Sequence, residues 1–159
     1  MILNQLLNNR LSNKALLRLI VIFTLIGFAD TAYLTADHYF GTGVKCVLLE
    51  GCDVVLLSQY SKIFEIPLAA IGFAFYVGVF ILINLFDIYR NNLLLKLLVL
   101  AGASGFIVSL ILLYVQIFII GALCVYCLVS VASSTAIFIT AIFLNKNSNH
   151  LNSETQLEN

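Results

Sequence analysis

The chain has 159 residues, of which 62% are hydrophobic and only 10% are charged. Soluble domains carry about 25% charged residues, because a domain of this size needs many polar side chains to cover its surface. The composition therefore excludes a water-soluble globule and indicates an integral membrane protein. Eight basic and eight acidic residues give a net charge of zero, so the chain has no basic field that could hold a nucleic acid.

Four segments are apolar enough to cross a bilayer as helices, each near the roughly 20 residues that the hydrocarbon core requires. The last two share a long stretch without a formal charge, in which Gly121 is the expected break. The sequence thus predicts an all-α, integral membrane bundle of four transmembrane helices. A membrane domain at 15–144 follows an N-terminal segment at 1–14 and precedes a polar, disordered tail at 145–159. The four spans are expected at 15–36, 66–86, 93–119 and 122–144.

Lysine and arginine side chains are distributed unevenly about these spans. Six of the eight fall on one face and only Lys45 and Lys62 fall on the other. Because cytoplasmic segments are enriched in basic residues, both termini are predicted to be cytoplasmic, and the long loop at about 37–65 is predicted to face outward. A cleaved signal peptide at the first span is the alternative interpretation.

The four cysteines form two pairs on the predicted outer side. Cys124 and Cys127 lie three residues apart at the start of the fourth span, where they share a helix face and the unpaired N–H groups of the first turn stabilise a thiolate. Cys46 and Cys52 lie in the glycine-containing outer loop, where an exposed disulfide is suited to thiol exchange. The pattern predicts electron transfer from the loop pair to the helix pair, and then to an acceptor apolar enough to live in lipid.

Other interpretations of the cysteines stay open on the residues alone. They could form static disulfides in a membrane scaffold, or they could ligate zinc, since Cys-x-x-Cys recurs in zinc sites. A metal-handling membrane protein is a further alternative, in which the thiolates and Asp30 pass a soft cation inward. Asp30 is an ionisable residue inside a span, and its role could be structural or could be that of a proton relay.

Several motifs occur together in one order, and with them the chain resembles the vitamin K epoxide reductase (VKOR) family over about residues 15–144. The form it resembles is the bacterial, stand-alone, four-helix member. The motifs are Gly27-Phe-Ala-Asp-Thr-Ala-Tyr-Leu-Thr35, Cys46-x5-Cys52, Cys52-Asp-Val-Val-Leu-Leu-Ser58, Ile66-Pro-Leu-Ala-Ala-Ile-Gly72 and Cys124-x-x-Cys127.

The resemblance implies a four-helix bundle around a quinone of the ubiquinone or menaquinone type, capped by a partly helical outer loop between the first two spans. It implies that Cys46 and Cys52 receive electrons from a thioredoxin-like (DsbA-type) protein outside the cytoplasm. Because the chain ends after its fourth span, this partner is expected to be a separate protein. Cys52 then exchanges with Cys124, and Cys127 faces the quinone ring as a thiolate.

Further site residues follow from the same resemblance. Ser58 matches a family Ser/Thr near the active site, and its hydroxyl can donate a hydrogen bond to a thiolate or a quinone oxygen. Tyr126 and Phe73 are candidates for lining the quinone site. Leu68 and Val131 stand where animal members that reduce vitamin K epoxide carry Asn and Tyr, which favours plain quinone reduction. The expected function is that of a membrane thiol:quinone oxidoreductase supporting disulfide formation outside the cytoplasm, with no metal.

Overall fold

The structure is a computed structural model that describes residues 2–41, 52–56, 58, 61–63 and 66–157. Cys46 lies outside the described residues, as does most of the connection between the first two long helices.

Four long helices account for most of the described chain. Four apolar stretches are long enough to span a membrane, namely Asn13–Phe40, Leu68–Tyr89, Asn92–Ile120 and Val125–Ser148. The predicted all-α architecture with four spans and a partly helical connection is therefore confirmed. The elements are α1 (Ile2–Phe40), α2 (Cys52–Leu56), β1 (Lys62–Ile63), β2 (Ile66–Pro67), α3 (Leu68–Tyr89), α4 (Asn92–Tyr114), a π-helical segment (Val115–Ile120) and α5 (Val125–Leu157).

The connections that precede and follow α3 are tight and locally specified. β1 and β2 pair antiparallel, and Pro67 then precedes the first residue of α3, where its missing N–H leaves no bond unmade. At the other end, Arg90 adopts the left-handed conformation with φ 51° and its N–H bonds to the Phe86 carbonyl. Asn91 then caps α4 by accepting a 2.9 Å hydrogen bond from the Leu93 N–H. Two residues therefore suffice to reverse the chain.

Gly121 ends the third span, as predicted. It follows the π-helical segment and has φ 70°, a backbone conformation that favours glycine because the residue has no Cβ. The chain then runs without helix to α5, which begins at Val125, three residues later than expected.

The bundle closes around α5, which packs against α1 and α4, while α3 packs against α1. Ser109 and Ser134 hydrogen-bond each other across α4 and α5 at 2.7 Å. A Cβ added to Gly102 would lie 3.0 Å from the Phe138 Cα, so the two helices approach closely there. Small residues permit this kind of contact between helices in lipid. Many large apolar side chains remain exposed on the outside, where a bilayer would cover them.

Both terminal helices continue beyond the predicted spans. α1 begins at Ile2, and α5 continues to Leu157 through the region for which a disordered tail was predicted. Neither extension contains glycine or proline to end the helix. Asn147 Nδ2 donates a 3.2 Å hydrogen bond to Asn13 Oδ1, which joins α5 to α1 at this end of the bundle.

Candidate functional site

A buried cluster joins the loop helix α2 to the start of α5. Cys52, Val55 and Cys124 form its centre, and Cys52 and Cys124 are both fully buried. Cys52 is disulfide-bonded, whereas Cys124 and Cys127 are free thiols. The structure therefore places Cys52 and Cys124 in the same buried cluster. The side chains packed around the cluster are those of Leu56, Ile120, Ala122, Tyr126 and Cys127.

The expectation of an exposed loop cysteine is wrong for Cys52. Its apolar neighbour Val55 faces the bundle with it, so α2 lies against the end of the third span instead of projecting into water. Burial of the apolar side chains of α2 is the physical reason, because it removes their surface from solvent.

The Cys-x-x-Cys pair is positioned by the first turn of α5. The Cys124 carbonyl accepts a 3.1 Å hydrogen bond from the Leu128 N–H, so Cys124 occupies the position that precedes the helix. The Cys124 N–H donates to Gln116 Oε1 at 3.0 Å, and Gln116 is only 3% exposed. Sequence reasoning missed Gln116. The available signal was that it is the only Asn or Gln between Leu97 and Leu144, within the uncharged stretch that contains the last two spans.

Cys124 lies between two spans and has an acidic thiol. A hydrogen bond from the Cys127 side chain lowers the pKa of Cys124 from 9.0 to about 7. Burial raises this pKa, the backbone N–H groups of Cys127 and Tyr126 lower it, and the negative charge of Asp30 raises it. The N–H groups of the first turn of α5 thus favour the thiolate form of Cys124, which is the effect that the sequence predicts for this turn.

We expect the first thiol of the reduced pair to ionise with a midpoint at about pH 7, measured by ultraviolet thiolate absorbance. Cys127→Ala should move the midpoint up towards 9.0, because the strongest stabilising hydrogen bond is lost. Asp30→Asn should move it down, because a negative charge that opposes ionisation is removed. Asp87→Asn removes an exposed carboxylate far from the pair and serves as the control. Midpoints that stay unchanged in both test variants would contradict this assignment.

An apolar cavity of about 790 Å³ lies beside the cysteine cluster, between α1, α3, α4 and α5. Cys127 and Ser58 are among its lining residues, and so are Leu68 and Val131. Small-molecule sites usually measure about 300–1,000 Å³ and have mainly apolar walls with a few polar groups. By size and by lining, the cavity fits a quinone ring, with the Cys127 side chain at its wall.

The Ser58 hydroxyl is already engaged in a local turn. Its Oγ donates a 2.7 Å hydrogen bond to the Val55 carbonyl, and its N–H also approaches that oxygen, at 3.3 Å. For Ser58 to donate to a thiolate or a ligand, as expected, its hydroxyl would first have to break its hydrogen bond to the Val55 carbonyl.

The two predicted aromatic residues lie away from the cavity wall. The Tyr126 ring lies 5.5 Å from the Tyr33 ring, centroid to centroid, and Tyr126 packs against the cysteine cluster. Phe73 packs against Phe28, with ring centroids 4.9 Å apart. Neither Tyr126 nor Phe73 is among the residues that line the cavity.

Asp30 is hydrogen-bonded to the cavity wall. Ser130 Oγ donates a 2.9 Å bond to Asp30 Oδ2, and Ser130 lines the cavity one helical turn after Cys127. Tyr76, on α3, donates its hydroxyl to the Ser130 carbonyl at 3.1 Å. The hydrogen bond between Ser130 and Asp30 joins α5 to α1, which is a structural role. It also places a carboxyl group one side chain away from the cavity.

Within the described ranges, no group of three or more His, Cys, Asp or Glu side chains lies close enough to hold a metal ion. The metal-handling alternative gains no support from that part of the chain.

A helical membrane bundle that packs a disulfide-bonded cysteine against a Cys-x-x-Cys pair beside an apolar cavity has the parts of a membrane-embedded oxidoreductase. Comparison with protein families names the group: the model of the vitamin K epoxide reductase family matches residues 18–142, most of the chain. The protein belongs to this family, and the resemblance of the sequence motifs is confirmed. No curated protein matches the chain in a sequence search. Membership of this family identifies the chain as a membrane oxidoreductase of the general class that links disulfide chemistry to quinones.

Proposed function

We propose that the protein takes electrons from a separate thioredoxin-like protein and passes them to a quinone, which supports disulfide formation outside the cytoplasm. One observation carries this proposal. Disulfide-bonded Cys52 packs in one buried cluster with Cys124, whose partner Cys127 lines the apolar cavity.

The first half of the cycle is thiol–disulfide exchange. A thiolate of the partner attacks a Cys46–Cys52 disulfide, which oxidises the partner and leaves Cys46 and Cys52 as thiols. Cys52 then attacks the Cys124 sulfur of a Cys124–Cys127 disulfide, and Cys46 displaces Cys124 from the mixed disulfide. The products are an oxidised loop pair and a reduced helix pair. Disulfide-bonded Cys52 beside two free thiols is the redox state expected at this point.

The second half re-forms the disulfide of the helix pair. A quinone of the ubiquinone or menaquinone type, when bound, supplies a two-electron, two-proton acceptor. Conversion of the Cys124 and Cys127 thiols to a disulfide releases two electrons and two protons, which is the amount that converts a quinone to a quinol. Cys127 lines the cavity, so its side chain would face an acceptor bound there. Cys124, with its lowered pKa, is suited to attack the Cys127 sulfur and close the disulfide, and the electron pair displaced from that sulfur would pass to the quinone.

Plain quinone reduction fits the cavity better than epoxide reduction. Leu68 and Val131 occupy the positions at which epoxide-reducing animal members of the family carry Asn and Tyr, and both line the cavity. Neither side chain can donate a hydrogen bond to an epoxide oxygen.

The proposed location is the bacterial inner membrane, with both termini cytoplasmic and the cysteine cluster facing outward. Basic residues support this orientation, because Lys14, Arg18, Arg90, Lys96 and Lys146 all fall on the side of the bundle opposite to the cysteines.

Thiol trapping in cells tests the function. Free thiols are alkylated in cells with and without quinone, and the redox state of each cysteine is read by mass spectrometry. Cys124 and Cys127 should accumulate as thiols when quinone is depleted, because their electrons have no acceptor. A redox state that does not respond to quinone would contradict the proposal. Metal bound in stoichiometric amount by the reduced thiols, without any quinone effect, would support the metal-handling alternative.

A further inference from the structure

We propose that the side-chain amide of Gln116 is the hydrogen-bond donor that holds a carbonyl oxygen of the quinone, at the end of the cavity where Cys127 lies. The proposal rests on the function proposed above, and it names a binding residue that no sequence motif singled out. The ligand chemistry that Gln116 fits is a neutral carbonyl group on a flat, apolar ring.

One hydrogen bond determines the orientation of the Gln116 amide. The Cys124 N–H can only donate, so the atom that accepts from it at 3.0 Å is the amide oxygen, Oε1. The NH2 group at the other end of the planar amide keeps its two N–H donors. Away from the Cys124 backbone, the side chain of Gln116 therefore presents donors and no acceptor.

The NH2 group of Gln116 has access to the cavity. Gln116 is buried against the outside of the bundle and lines the cavity, so the open space beside its side chain is the cavity itself. The NH2 group donates to no oxygen or nitrogen of the described residues. Every side-chain nitrogen or oxygen that these residues fully enclose has a hydrogen-bond partner. The NH2 group is therefore not enclosed by packing, and its donors are open to a molecule in the cavity.

The hydroxyl groups of the cavity wall are already used within the protein. Each of them donates to a protein oxygen, in most cases a nearby backbone carbonyl. Ser130 donates to Asp30, for example, and Tyr76 donates to the Ser130 carbonyl. Lys62 and His38 also line the cavity, but both are exposed and so lie at its outer rim. Among the described lining residues away from that rim, only Gln116 has an uncommitted nitrogen or oxygen donor on its side chain.

The backbone places Gln116 at the same end of the cavity as Cys127. Gln116 lies in the π-helical segment, whose wider turns displace side chains from the usual helical positions. Its carbonyl accepts hydrogen bonds from the N–H groups of Gly121 and Ala122, the latter at 3.2 Å. Backbone and side chain of one residue thus join the end of the third span to the turn that carries Cys124. A carbonyl oxygen held by Gln116 is consequently held at the cysteine end of the cavity.

A fixed donor at this end assists the arrival of electrons. A carbonyl oxygen gains negative charge as electrons reach the ring that carries it, and a preorganised N–H donor in a site that excludes water stabilises such developing charge. The same hydrogen bond orients the ring, because only one end of the cavity offers it. Gln116 transfers neither a proton nor an electron.

The test combines a neutral substitution with a change in the ligand. Gln116→Met removes the donor, adds no charge and keeps a similar length, but it also removes the acceptor for the Cys124 N–H. Two ligands separate these effects, because dimethylnaphthoquinone has two carbonyl oxygens and dimethylnaphthalene has the same rings without them. Thr140→Val is the matched control, since it removes a buried hydroxyl of α5 that does not line the cavity. All proteins, including the parent, carry Cys127→Ala, so that bound quinone is not reduced.

Calorimetry measures the binding of each ligand to the full-length chain in lipid bilayers, and infrared spectroscopy records the isotopically labelled carbonyl groups of bound dimethylnaphthoquinone. Gln116→Met should weaken binding of the quinone about threefold to tenfold, as expected for loss of one neutral hydrogen bond. Binding of dimethylnaphthalene should not change. In the parent, the hydrogen bond lowers the stretching frequency of one carbonyl, and in Gln116→Met this band should return to that of the free quinone. Thr140→Val should match the parent in both measurements.

The outcomes distinguish a binding role from a structural one. Equal weakening of both ligands would assign Gln116 to the shape of the cavity and overturn the inference, as would a carbonyl band that stays lowered in Gln116→Met or a parent that does not bind the quinone. If Gln116→Met does not fold, solid-state NMR of the parent decides. A contact between a glutamine side-chain nitrogen and the labelled carbonyl carbon supports the inference, and its absence overturns it.

None of these measurements depends on electron transfer. Thiol trapping that shows no response to quinone would overturn the proposed function and leave a demonstrated Gln116 contact standing. Loss of the contact, with normal thiol trapping, would overturn this inference alone.

Discussion

Cys127→Ala is expected to abolish electron transfer to quinone, lowering its rate by at least about a thousandfold, as loss of a reacting nucleophile does in other enzymes. The physical reason is that Cys127 supplies the sulfur at the cavity wall, and without it no disulfide can form with Cys124. The measurement is the absorbance change of quinone in proteoliposomes supplied with a reduced thioredoxin-like protein.

Cys124→Ala should be equally inactive, since the disulfide needs both sulfurs. Ser133→Ala is the control, because it changes a small buried residue of the same helix that does not line the cavity. It should keep the parent rate. Quinone reduction at the parent rate in either cysteine variant would contradict the proposed cycle.

A protein carrying both Cys46→Ser and Cys127→Ser is expected to accumulate a disulfide between Cys52 and Cys124 in most of its molecules. These two cysteines lie in one buried cluster, and neither retains the partner that would resolve the mixed disulfide. Peptide mapping by mass spectrometry after thiol alkylation identifies the linked residues.

The combination of Cys46→Ser with Cys124→Ser is the comparison for this experiment. It leaves Cys52 with Cys127, which lies at the edge of the cluster and lines the cavity, so little mixed disulfide is expected. A Cys52–Cys127 disulfide as abundant as the Cys52–Cys124 disulfide would show that exchange does not pass through Cys124.

The architecture could be predicted from the sequence because each of its parts depends on local composition. Four apolar stretches predict four spans without any knowledge of their packing, and Gly121 separates the last two because it is the residue best able to turn the chain there. The Cys-x-x-Cys pair could likewise be placed at a helix start, since spacing and span boundaries are properties of a continuous segment.

What could not be predicted depends on contacts between distant segments. Cys52 is buried because α2 lies against the third span, and nothing in the loop itself indicates that contact. Gln116 reaches Cys124 through a π-helical turn, whereas an ordinary helical periodicity would place its side chain elsewhere. Aromatic residues near the cysteines were natural candidates for the cavity wall, yet Tyr126 is used in packing against Tyr33.

The complete burial of Cys124 beneath α2 has a consequence for how electrons are kept on their route. A monothiol dissolved in the surrounding water has no direct access to the Cys124 sulfur, because that residue is fully buried. The short helix α2 contributes Cys52 and Val55 to the cluster that covers Cys124, so the thiol that exchanges with Cys124 is one already packed beside it. Electrons from small water-soluble thiols are therefore expected to reach Cys124 only through the outer pair, so that such thiols do not reduce the quinone pool directly.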